Sequence, residues 1–201
     1  MKLSDQVTIA IDDAQVGKFE AALLHACVAI DATSKRLYPS KNKVGKRYIA
    51  CLRDYYWLIE PMIGTGLNLV ETRFENVPLR NNPSPDLAEI IYEVFRCKHA
   101  HGDEVPPSFS VIRCEGGFGS RWLLAKGELH MPDRVVWALL GVAVFSRANK
   151  NEKTTGDYFL SLGADKFPIA EWWGREDDFR LIADRYNSIR VKLANLGDIK
   201  A

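Results

Sequence analysis

No CxxC pair, no excess of one charge, no apolar run long enough for a bilayer and no low-complexity tract occurs in these 201 residues. Each absence removes a class of protein. The four cysteines, Cys27, Cys51, Cys97 and Cys114, stand apart from one another. Paired zinc knuckles are thereby excluded, and reduced, buried thiols in a cytosolic protein are expected. The longest apolar run, Val135 to Phe145, falls short of the about 20 residues that a membrane helix needs. Met1-Lys2-Leu3-Ser4-Asp5 leads into no apolar signal segment. A cytoplasmic, soluble protein without membrane contact is therefore expected. A formal net charge of +1 gives no global basic field, so any contact with RNA or DNA must come from a local patch.

What is present describes an ordinary globular chain: 47% hydrophobic and 26% charged residues, enough to bury a core in one domain spanning 1–201. Residues 1–14 read as an arm or short strand, since Val7-Thr8-Ile9-Ala10-Ile11 is rich in β-branched side chains. Helical spacing of Val16, Phe19, Leu23, Cys27 and Ile30 predicts a helix from about Gln15 to Leu37, stopped by Pro39. A second helix is expected from about Val44 to Ile63, followed by an irregular connection over 64–85 with short strands at 67–70 and 72–74. A third starts at Asp86 as N-cap and carries the stripe Leu87, Ile90, Ile91, Val94, Phe95.

Residues 108–131 read as a β-hairpin whose strands, 109–113 and 121–130, flank the glycine-rich loop 115–120. The helix from about Pro132 to Ala148 is apolar almost all round and belongs at the centre of the core. The last helix spans about Arg175 to Leu193.

The stretch Arg96-Cys97-Lys98-His99-Ala100-His101, ended by Gly102 and Pro106-Pro107, carries the most chemistry. Arginine holds phosphate through a permanently charged planar fork, and histidine moves its proton near neutral pH. Arg-x4-His at a helix end resembles the signature of HEPN domains, small helical modules that include metal-independent endoribonucleases and components of toxin–antitoxin systems. The resemblance is most specific from Glu93 to Glu104.

It implies a mainly α fold, a HEPN-like helical bundle with a small β-hairpin insertion. It also implies RNA as substrate, a homodimer across which the site is completed, and an antitoxin-like protein partner. Arg96 and His101 take the catalytic roles, on the phosphate and as general acid, while Lys98, His99 and Cys97 contact the substrate. No cofactor is implied. The alternative is a non-catalytic HEPN-like module that binds a nucleotide, RNA or a protein.

One departure stands at Cys97, where the family commonly has a polar residue. A thiol there fits a weakened catalyst or a member that keeps the fold without the activity. Geometry adds a condition. On a continuous α-helix positions 96 and 101 are about 140° apart, whereas 96 and 99 share a face. Arg96 therefore meets His101 only where the helix ends or unwinds.

Other motifs are weaker. Cys97, His99 and His101 point in different directions on a helix, so no metal site is expected. The loop 115–120 lacks the GxxxxGK[ST] pattern. His25 and Asp31 fall on opposite faces of the first helix, and His25 reads as a packed or surface residue. The pair Trp172-Trp173 reads as core packing, with one ring available for an interface. Lys35, Arg36, Lys41, Lys43, Lys46 and Arg47 form the densest basic stretch and the best local candidate for phosphate-backbone contact.

Overall fold

A computed structural model describes residues 1–64, 66–97, 105–114 and 121–186. The fold is mainly α-helical. Its centre is α6 (Arg134–Phe145), where every position except Arg134 and Trp137 is buried. That burial follows from a sequence apolar on all faces. The helix packs on α2 (Phe19–Leu37) and α4 (Tyr56–Ile63). Gly141 makes the α4 contact close, because a Cβ there would run into the sulfur of Met62 and touch Leu58.

The N-terminal segment is a helix, α1 (Leu3–Gln15), not an arm or strand. Leu3, Val7, Ala10, Ile11 and Ala14 are buried at helical spacing, and packing on α2 overrides the β preference of the Val-Thr-Ile run. Gly17, at φ +80°, turns the chain so that α2 begins separately at Phe19. The face of α2 toward its neighbours is rich in small residues, among them Ala22, Ala26, Ala29 and Ser34, and these let helix axes approach closely.

The expected helix over 44–63 is two helices. α3 (Val44–Asp54) ends at Tyr55, whose backbone leaves helical geometry at φ −105°, ψ 12°, and α4 follows at once. The Tyr55 hydroxyl sits between Glu176 Oε2 and Ser146 Oγ, at 2.5 and 2.9 Å. This polar anchor holds the break in the chain. Neither expected strand forms in 64–85; Phe74 is buried there, stacked on Trp122.

Asp86 caps α5 (Leu87–Ile90) as expected, in a reciprocal capping box with Glu89. The helix then widens into a π-helical segment, Ile91–Arg96.

The three-stranded sheet has the order β1-β3-β2, from β1 (Phe109–Ile112), β2 (Leu123–Ala125) and β3 (Glu128–Pro132). The hairpin expected around 115–120 is corrected here. β1 runs parallel to β3, and the tight turn is Lys126-Gly127, with Ala125 opposite Glu128 and Gly127 at φ +79°. The stretch 121–130 is thus a strand–turn–strand, reversed where glycine supplies the positive φ.

A second hairpin joins β4 (Phe159–Leu162) to β5 (Asp165–Pro168), a segment to which the sequence reading assigns nothing. α7 (Ile169–Trp172) and α8 (Glu176–Ala183) complete the described chain. Phe145, Phe167 and Phe179 meet in one aromatic cluster, with Phe145 and Phe179 stacked at 3.9 Å between ring centres. No helix among the described residues is long and apolar enough to cross a membrane.

Candidate functional site: an arginine–carboxylate cluster

Arg96 is the last residue of the π-helical segment, and it is not a free helix-end cation. Its Nη2 donates to Asp31 Oδ2 at 2.8 Å, and Nη2 of Arg47 reaches Asp31 Oδ1 at 3.1 Å. One carboxylate of α2 therefore aligns two guanidinium groups, one from α3 and one from the end of the π-helical segment. The three side chains are 14–24% exposed, so the cluster lies at the surface with its charges only partly hydrated. Formally it carries +1, from two guanidinium groups and one carboxylate. A guanidinium has five N–H donors, and the bond to Asp31 occupies one of Arg96's. Burial works against the Arg96 charge, but the hydrogen bond and negative charge of Asp31 outweigh it and raise its pKa.

The floor of the cluster is aromatic. The Arg96 guanidinium carbon is 5.8 Å from the centre of the Tyr92 ring, and Tyr92 in turn lies 5.4 Å from Tyr48. Gly45 leaves room for this ring, since a Cβ there would sit 2.8 Å from Tyr92 Cε1. Burial pushes the Cys27 thiol up to about 12. Burial also raises Tyr92.

Cys97, expected as a substrate contact, is half-buried directly after the π segment. Lys98, His99 and His101 lie outside the described residues.

The winding of this segment bears on its chemistry. The N–H of Cys97 bonds the carbonyl of Tyr92, five residues back, which is the i→i+5 pattern of a π-helix. Such winding brings residues five apart nearer to one face than α-helical winding does. Arg96 and His101 have that spacing, but the residues that set the angle between them, 98–101, lie outside the described residues.

The basic stretch divides. Arg36 is tied to Glu152 and Asn149, at 2.7 Å each, and Arg47 belongs to Asp31. Lys41, Lys43 and Lys46 are exposed and line one shallow groove together with Arg53, Asp54 and Glu89. His25 is a packed residue, its Nδ1 2.7 Å from Gln6 Oε1. Trp173 is buried with its indole N–H on Thr154, and Trp172 packs edge-on against Phe145 and Phe167. Among the described residues no group of three His, Cys, Asp or Glu side chains could hold a metal ion.

Sequence reasoning missed Asp31 as a partner of Arg96. The signal was there: Asp31 follows Cys27 by four residues and precedes Ser34 by three, so an acid interrupts a buried stripe of α2.

The fold and cluster define a mainly α-helical protein with two small sheets and a paired-arginine surface site. The chain belongs to the Rv1289 family, whose model matches residues 2–196. It is similar to the uncharacterized protein Rv1289 of Mycobacterium tuberculosis, with 34% identity over 184 residues, 90% of this chain and 87% of the relative. The uncharacterized protein Mb1320 of Mycobacterium bovis matches with the same identity and coverage. No solved structure matches the chain.

Proposed function

We propose that this chain is a cytoplasmic HEPN-like protein that acts on RNA as a homodimer, through Arg96 and His101. The observation that carries the reading is the pair of guanidinium groups aligned on Asp31 at a partly exposed surface, a cationic arrangement suited to a phosphate.

In the reaction, the ribose 2′-hydroxyl gives its proton to water, its oxygen bonds to phosphorus and the bond to the 5′-oxygen breaks, leaving a 2′,3′-cyclic phosphate. Protonated His101 gives its proton to the departing 5′-oxygen, with His99 assisting. Arg96 offsets charge on the non-bridging oxygens. Lys98 and Cys97 contact the substrate beside them, and an antitoxin-like protein restrains the activity.

Purified protein is incubated with mixed single-stranded and structured RNA in EDTA, beside Arg96→Ala and His101→Ala. Cleavage with cyclic-phosphate ends, reduced by a factor of about 100 or more in each variant at unchanged thermal stability, supports the reading. A folded, dimeric wild type that leaves RNA intact overturns catalysis.

The second reading is a non-catalytic RNA- or nucleotide-binding module. It is favoured by the same Asp31 carboxylate, which at 2.8 Å already balances the Arg96 charge before any ligand arrives. RNA binding that weakens in Arg96→Ala, without cleavage by the wild type, selects it.

A further inference from the structure

We propose that the open cavity lined by α1, α4, α6 and the β4–β5 hairpin is a binding site for an organic ammonium ion with an apolar body. The cavity measures about 990 Å³ and shares no residue with the Arg47–Asp31–Arg96 cluster. The inference therefore stands apart from the RNA reading. Its size is that of small-molecule sites, which combine apolar walls with a few fixed polar groups.

The walls are aromatic and the charge is negative. Trp137, Tyr158, Phe159 and Tyr186 line the space, with Ile11 and Leu67 among the aliphatic neighbours. Two of the rings are held by their hydroxyls: Tyr158 donates to Asp12 Oδ2 at 3.1 Å, and Tyr186 to Asp165 Oδ2 at 2.9 Å. A ring fixed in this way presents its surface to a ligand without an ordering cost at binding.

Among the described charged side chains, Glu60, Asp133 and Asp157 line the cavity against one cation, Arg134. Three carboxylates and one guanidinium make a formal charge of −2 on the lining; Lys166 Nζ lies 4.8 Å from the centre of the Phe159 ring, which leaves Trp137, Tyr158 and Tyr186 as the rings for a ligand cation. Arg134 lies along one wall, with Nη1 2.8 Å from where a Gly64 Cβ would stand. Glu60 is buried and fixed, its Oε1 accepting the Leu69 N–H at 2.7 Å. Asp157 is on the exposed rim. A cavity of this sign repels a carboxylate or phosphate, and aromatic faces attract an ammonium group.

The full chain is titrated with phenethylammonium, with its neutral analogue 2-phenylethanol, and with phenylacetate. Affinities come from calorimetry. The site is located through the indole N–H resonance of Trp137, identified by its loss in Trp137→Phe.

The ammonium ion is expected to saturate the protein and to bind about tenfold more tightly than the alcohol, with the carboxylate weakest. The Trp137 resonance shifts with it. Asp157→Asn keeps the wild-type unfolding temperature, weakens the ammonium ion about threefold and leaves the alcohol unchanged. Equal affinity for the three compounds, no saturation by the ammonium ion, an unmoved Trp137 resonance, or unchanged ammonium affinity in Asp157→Asn overturns the proposal.

Discussion

Asp31→Asn tests whether one carboxylate organises the arginine cluster. The substitution keeps the shape of the side chain and removes the charge that aligns Arg96 and Arg47. Two bonds are affected, at 2.8 and 3.1 Å, between side chains that are 14–24% exposed. Exposed ion pairs contribute about 0–1 kcal/mol, and breaking a buried one costs about 3–5 kcal/mol. This cluster lies between those limits, so a loss of about 1–3 kcal/mol is expected.

Urea unfolding of Asp31→Asn, Arg96→Ala and the double variant closes a thermodynamic cycle, with an expected Asp31–Arg96 coupling of about 1–2 kcal/mol. Partial burial should leave most of that coupling intact in high salt, where a surface pair is screened. A coupling below about 0.5 kcal/mol, or one abolished by salt, refutes the claim that Asp31 holds Arg96 in place. RNA affinity supplies a second readout. Removing a negative charge should tighten binding if only the field matters, and weaken it if the alignment of the two guanidinium groups matters.

Two further predictions concern the core. Glu176 accepts the Arg147 N–H and a guanidinium bond and contacts Tyr55. Burial opposes its charge, but the Arg147 and Tyr55 bonds prevail, so its folded pKa lies below that of the unfolded chain. The resulting stabilisation is complete above the unfolded glutamate pKa, about 4.3, and is lost as pH falls through the lower, folded value. Glu176→Gln should flatten the acid limb of a plot of unfolding free energy against pH; an unaltered limb contradicts the assignment. Phe145→Ala removes a fully buried ring stacked on Phe179 and should cost about 3–5 kcal/mol in chemical unfolding, while a loss under about 1 kcal/mol would mean that the aromatic cluster is not tightly packed.

Much of the helical frame was legible in the sequence because burial and helical period coincide there. Leu23, Cys27 and Ile30 mark α2, and Val135 to Phe145 mark α6, where no competing pattern exists. Asp86 announced the start of α5 as its N-cap, and the structure adds Glu89 as its capping-box partner. The errors arose where local and tertiary preferences diverge. Val7-Thr8-Ile9 favours a strand by side-chain shape, yet α1 is helical because Leu3, Val7, Ile11 and Ala14 together bury one face. The break at Tyr55 depends on Ser146 and Glu176, 91 and 121 residues away in the chain, which no window around Tyr55 contains.

For the site, Arg96 was found by motif, but its partner Asp31 is 65 residues earlier. The π-helical winding of 91–96 has no signature in the apolar stripe Ile90, Ile91, Val94, Phe95.

The ties between α1 and the far end of the chain have a consequence for synthesis. Ser4 N–H reaches Glu152, and Asp12 accepts from Tyr158, spans of 148 and 146 residues. The helical hairpin of α1 and α2 can form as soon as both emerge, but its outer face lacks these partners until most of the protein has been made. At about 5–20 residues per second, the 121 residues from Leu37 to Tyr158 take roughly 6–24 s. During that time, the apolar faces of α1 and α2 that α6 later covers stay open to solvent or to a chaperone. α1 is thus made well before the partners that clasp it.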